Sequence, residues 1–83
     1  MNNTVLEDVR KLKEKGLISD FKITNGWLTV KGVGHKGKDE VKDTISLNIG
    51  FEPNEHGFWM KNGKTVGIVS MTGLNFEIHV ELS

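Results

Sequence analysis

The sequence contains no cysteine, and this absence excludes two common ways of stabilising a small fold. No disulfide can form, and no thiolate is present to hold a structural zinc ion. Three histidines alone cannot complete a closed four-ligand site, so we expect no metal and no cofactor. A chain of 83 residues is predicted to make one domain, residues 1–83, whose small core depends on packing.

The sequence also lacks an excess of charge and a long apolar run. Eleven basic residues balance eleven acidic ones, so the positive charge typical of nucleic-acid and anionic-membrane binders is missing. No stretch approaches the ~20 apolar residues of a membrane span, and the first residues carry no secretion-signal pattern. We therefore expect a cytoplasmic protein with no nucleic-acid partner and no membrane partner.

Side chains typical of catalysis are scarce. The chain has no thiol and no tyrosine, and its serines stand beside no recognisable base. No pair of carboxylates falls where burial would separate the two pKa values, as general acid–base catalysis requires. The sequence therefore predicts a protein that is not an enzyme and has no catalytic residues.

Glycine is abundant, with ten in the chain, and several glycines mark turns. Gly16 follows an amphipathic helix that a capping box at Thr4 and Glu7 is predicted to start. Asn25-Gly26 and Asn62-Gly63 favour type I′ hairpin turns, and Thr72-Gly73 indicates a third tight turn. Between the turns, alternating apolar residues predict six strands, at 18–24, 27–33, 43–51, 58–61, 64–71 and 74–82.

These elements predict an α+β fold with one N-terminal helix packed on a curved, six-stranded antiparallel β-meander. A single helix ~10 to 12 Å across cannot cover six strands spaced ~4.8 Å apart. We therefore expect the sheet to curl around the helix as a half-barrel, or a second copy to cover the excess in a homodimer.

The hairpin registers place an unusual group of side chains on the outer face of the sheet. Trp59, Val66 and Ile68 are predicted to cluster there, with Trp27 on the same side. Exposed aromatic and aliphatic side chains are typical of partner-binding surfaces, although cross-strand packing alone would also explain them. We therefore expect a small binding or inhibitor-type module that contacts another protein or itself, as accessory proteins of viruses and mobile elements do.

The segment Gly32 to Gly37 matches the spacing G-x-G-x-x-G after a strand. A dinucleotide-binding turn also needs a following helix inside a βαβ unit, whereas residues 43–51 alternate like a strand. The segment is therefore predicted to be a flexible hairpin loop. Its basic residues could still contact an anion or an acidic partner: Lys31, His35, Lys36 and Lys38.

Two further patterns carry weaker predictions. Glu77, His79 and Glu81 share one strand face, where they are predicted to keep an edge strand soluble instead of binding a metal. The alternative function is a small-molecule-binding or enzymatic half-barrel, with a pocket beside the helix that His35 or Lys36 closes.

Overall fold

In a computed structural model, which describes residues 3–82, the first helix, α1, spans Asn3–Glu14. It begins before Thr4, so Thr4 is not its N-cap as the sequence predicted. The predicted end is confirmed, because Gly16 takes a positive φ of 78° and the Leu17 amide donates to the Leu12 carbonyl at 3.0 Å.

A second helix, α2, occupies His35–Ile49, where the sequence predicted a loop followed by a strand at 43–51. That prediction is wrong because the positions that face the core repeat every four residues, at Gly37, Val41 and Ile45. Leu47, which the alternating pattern would place inside a sheet, is 83% exposed. The alternation of polar and apolar residues over 44–49 therefore lies within a helix and does not mark the two faces of a strand.

Within residues 3–82, five strands form one antiparallel sheet: β1 (Asp20–Thr24), β2 (Trp27–Val33), β3 (Phe58–Lys61), β4 (Lys64–Thr72) and β5 (Asn75–Glu81). Their order across the sheet is β1-β2-β5-β4-β3. The predicted six-stranded half-barrel is therefore wrong, since one predicted strand is helical and the sheet does not close into a barrel. The part of the sheet that α1 leaves exposed is covered by α2, and the sheet does not need to curl around a single helix.

Both helices pack on the same face of the sheet, which gives a single domain with one core. Side chains from α1, α2 and the strands meet in one cluster: Val5, Val9, Leu12, Ile18, Leu28, Val30, Val41, Ile45, Trp59, Phe76, Ile78, Val80 and Leu82. No part of residues 3–82 covers the opposite face of the sheet. We call it the open face.

Across residues 3–82, neither helix combines the length and the apolar character needed to cross a membrane.

Candidate functional site

Trp59 lies in the core, which corrects its predicted place on the outer face. The sequence predicted Trp59 opposite Val66, but a β-bulge shifts the register between Trp59 and Met60. Trp59 pairs with Gly67 and Met60 pairs with Thr65, so Val66 is the extra residue on β4. The shift turns the Trp59 side chain towards the helices, where it is fully buried.

The buried indole is held by two neighbours that the turn pattern could not reveal. Its N–H donates to the hydroxyl of Ser46 on α2 over 3.3 Å, and Ser46 is itself buried. Gly67 lies against the ring, and a Cβ there would come within 2.7 Å of the Trp59 Cε3 atom. Trp59 therefore joins β3 to α2, and a partner on the surface cannot reach it.

Val66 also lies away from the open face. It packs against the core cluster and lines a depression of about 230 Å³ beside α2. The other residues that line this depression come from both helices, the following loop and the strands: Val5, Asn48, Ile49, Phe51, Lys61, Glu81 and Leu82. This volume is below the ~300 to 1,000 Å³ of typical ligand pockets.

The open face carries a row of paired residues that crosses four strands. Thr29 pairs with His79, His79 with Ile68, and Ile68 with Phe58. Phe58 and Ile68 are half-buried on the solvent side of β3 and β4, and Met60 nearby is 40% exposed. The predicted membership of the outer face is thus corrected: Phe58 and Met60 lie there, and Trp59 and Val66 do not. We call the four side chains Trp27, Phe58, Met60 and Ile68 the open-face patch.

A hydrogen-bonded chain crosses the same face at its centre. His79 Nδ1 lies 3.1 Å from the Thr29 hydroxyl oxygen, and His79 Nε2 lies 2.6 Å from Glu77 Oε1. Lys31 adds a long ion pair of 3.9 Å to Glu77. Both ring nitrogens of His79 are thus engaged, which fixes the imidazole plane next to Ile68.

The chain of hydroxyl, imidazole and carboxylate is the kind of arrangement that activates a nucleophile in enzymes. Here it lies on a sheet face open to water, with the His79 and Glu77 side chains 37% and 44% exposed. β5 lies in the middle of the sheet, so the predicted role of Glu77, His79 and Glu81 on an edge strand is wrong.

The predicted flexible loop at Gly32 to Gly37 is the end of β2 and the first turn of α2. A helix does begin within this segment, at His35, but β3, the strand after it, runs antiparallel to β2, so no βαβ unit forms. Packing explains two of the glycines. A Cβ at Gly32 would overlap the Phe76 ring, and one at Gly37 would overlap the Leu17 carbonyl oxygen.

The structure does not bring the four basic candidates to one site. Lys31 lies on the open face beside Glu77, whereas His35 and Lys36 are exposed on the first turn of α2. Lys38 forms an ion pair of 3.4 Å with Asp39 and lines a depression next to the 52–57 loop. Their predicted contact with an anion or an acidic partner stays a prediction. Within residues 3–82, no three His, Asp or Glu side chains are arranged to hold a metal ion.

Comparison with known proteins gives no relative: no family model, no curated protein and no solved structure matches the chain.

Sequence reasoning missed Phe58, Met60 and Thr29 as members of the site. No signal for the Thr29–His79 contact exists in the local pattern, because the two residues lie 50 positions apart and meet only when β2 pairs with β5. A signal for Phe58 did exist. Gly67 in mid-strand indicates a close approach or a bulge, and a bulge exchanges the faces of Phe58 and Trp59.

Proposed function

We propose that the protein is a small binding module that contacts another protein through the open face of its sheet. The observation that carries this proposal is the open-face patch itself. Two helices cover one side of the sheet, while the other side presents two aromatic side chains, an isoleucine and a methionine, with the isoleucine beside a fixed histidine. Aromatic and methionine side chains are enriched at the centres of protein interfaces.

The charges on the open face also favour a protein partner. Lys22 and Lys31 lie on the same face as Glu77 and Glu81, so neither sign dominates. Protein surfaces that bind nucleic acids are strongly positive, because they must neutralise the phosphates. An apolar centre with mixed charges around it is the usual composition of a protein interface.

The size of the face sets the kind of complex. Five strands spaced ~4.8 Å apart and about seven residues long give a flat area of roughly 500 Å². A stable interface buries about 800 Å² on each partner. The open face alone therefore suits a modest, reversible contact, and a tighter complex needs surface beyond it.

The test compares three baits in affinity capture from the cells that produce the protein, followed by quantitative mass spectrometry. The baits are the wild type, the double variant Phe58→Thr/Ile68→Thr, and Leu47→Gln as a control on the far side of α2. Threonine suits a strand, so the double variant keeps the sheet while removing apolar area. We expect a protein that the wild type and Leu47→Gln retain and that the double variant loses at least fivefold.

Equal recovery by all three baits would contradict the proposal. Light scattering across a range of concentrations tests for self-association. If the wild type forms a dimer and the double variant does not, the partner is a second copy of the chain. A monomer that captures nothing would remove the support for a binding module.

A further inference from the structure

The two edges of the sheet are built differently. At the β3 edge, the outward backbone groups of Phe58 are occupied. The Asn54 amide donates to the Phe58 carbonyl at 2.8 Å, and the Phe58 amide donates to the Asn54 side-chain oxygen at 3.0 Å. The bulge beside Trp59 adds a second obstacle, because bulges bend a strand away from further pairing.

The β1 edge has less protection. Asn25 and Gly26 form a two-residue turn with φ values of 53° and 80°, so Thr24 and Trp27 are a hydrogen-bonded pair. By alternation, the amides and carbonyls of Phe21 and Ile23 then point away from β2. The Phe21 amide donates to the neighbouring Asp20 carboxylate. The other three groups meet no partner within residues 3–82.

Side chains at this edge favour one kind of added strand. On the helix side, Phe21 is half-buried and Ile23 is 39% exposed, so both have apolar surface left to cover. On the open face, Lys22 forms no ion pair with any residue in 3–82. A depression of about 170 Å³ lies beside it, lined by Asp20, Phe21, Lys22, Thr29 and Lys31.

A second copy of the chain does not fit this edge well. In a two-fold antiparallel pairing that uses all the outward groups, Phe21 of one copy faces Ile23 of the other, and the two Lys22 side chains lie directly opposite each other. Like charges in opposing positions destabilise a strand pair. In this register the unpaired Lys22 therefore disfavours self-pairing and favours an acidic residue on a different chain.

We propose that the outer edge of β1 binds an extended peptide segment of another protein as a sixth, antiparallel strand. The segment carries an acidic residue opposite Lys22 and an apolar residue on each side of it, opposite Phe21 and Ile23. Main-chain hydrogen bonds to Phe21 and Ile23 supply the attachment, and the side chains select the sequence. This edge site is separate from the open-face patch and does not depend on it.

The test is an NMR titration of the ¹⁵N-labelled protein with synthetic heptapeptides. The first peptide has a central glutamate flanked on each side by valine, serine and glycine, and the second has lysine in place of glutamate. We expect the glutamate peptide to shift the Ile23 amide resonance saturably and to bind about fivefold more tightly than the lysine peptide. The variant Lys22→Glu, on an exposed side chain, is expected to reverse this preference.

A backbone control separates strand addition from charge attraction. N-methylation of either flanking valine removes an amide that would face β1, so binding is expected to be lost. N-methylation of the glutamate removes an amide that would point away from β1, so binding is expected to persist.

Three results would overturn the proposal. The first is an Ile23 amide resonance that does not shift when the glutamate peptide is added. The second is equal binding of the glutamate and lysine peptides, both by the wild type and by Lys22→Glu. The third is a concentration-dependent β1 dimer in the absence of peptide. Shifts at Ile68 and His79 with none at Ile23 would also reject the edge site while supporting the open-face patch.

Discussion

The Trp59 indole N–H donates a hydrogen bond to the Ser46 hydroxyl, and this contact connects the shortest strand of the sheet to the last turn of α2. Both residues are buried. A tryptophan that looks like a surface anchor in the sequence is therefore the largest side chain of the core.

Substitutions at this contact are expected to reduce stability. Trp59→Ala leaves a large cavity, so we expect the free energy of unfolding to fall by about 3 to 5 kcal/mol. Ser46→Ala leaves the indole N–H buried without an acceptor, at a cost of about 1 to 3 kcal/mol. Urea denaturation followed by circular dichroism measures both losses. Leu47→Ala, on the exposed side of α2, is the control, and a Ser46→Ala loss no larger than that of the control would contradict the contact.

Gly67 and Trp59 are expected to be coupled energetically. An alanine Cβ at position 67 would meet the Trp59 ring at 2.7 Å and the His79 carbonyl oxygen at 3.1 Å. We expect Gly67→Ala to destabilise the fold by about 1 to 3 kcal/mol, and to cost at least ~0.5 kcal/mol less in a Trp59→Phe background. A double-mutant cycle in urea measures the difference, and strictly additive losses would reject the close contact.

Gly37 provides a test in which packing opposes helix propensity. At a solvent-exposed position inside a helix, alanine is more favourable than glycine by about 1 kcal/mol. At Gly37 the added Cβ would overlap the Leu17 carbonyl oxygen and lie 3.1 Å from the Phe76 ring. We expect Gly37→Ala to lower the thermal midpoint, while Lys36→Ala at the neighbouring exposed position changes it little. A stabilised Gly37→Ala would show that the two elements do not approach this closely.

Asp20 is expected to titrate below its usual range. The hydrogen bond from Lys13, with Nζ 3.2 Å from Oδ1, and the Phe21 amide lower the pKa of Asp20 from its ordinary value of 3.8. Because the folded-state pKa is the lower one, the contribution to stability is present above pH 3.8 and is lost as the pH falls through the folded-state value. Carboxyl ¹³C NMR measures the titration. Lys13→Met is expected to move the pKa back towards 3.8, and Lys11→Met is expected to leave it unchanged.

Local signals predicted the hairpins well and their assembly poorly. The Asn25-Gly26 turn gave the confirmed pairs Phe21–Val30 and Ile23–Leu28, because a two-residue turn determines register. The same reasoning failed at Trp59, since one extra residue on β4 reverses the faces. α2 was missed because its polar and apolar residues alternate over 44–49, while its core side repeats every four residues.

The open-face patch was predictable only in part. Ile68 and Trp27 lie on the face where the hairpin registers placed them. Phe58 lies on the face where the turn registers placed Trp59, and only the mid-strand Gly67 pointed to the bulge that exchanges them. The contact of His79 with Thr29 needed the order of the strands, and that order comes from β5 inserting between β2 and β4. Their roles in binding a partner stay predictions.

The central position of β5 has a consequence for how the chain folds. β1–β2 and β3–β4 are local hairpins, but they share no pairing until residues 75–81 lie between them. An isolated two-stranded hairpin is only marginally stable in water. A nascent chain that has made everything up to Thr72 therefore holds two unjoined halves, and completion of the sheet awaits the strand that is synthesised after all the others.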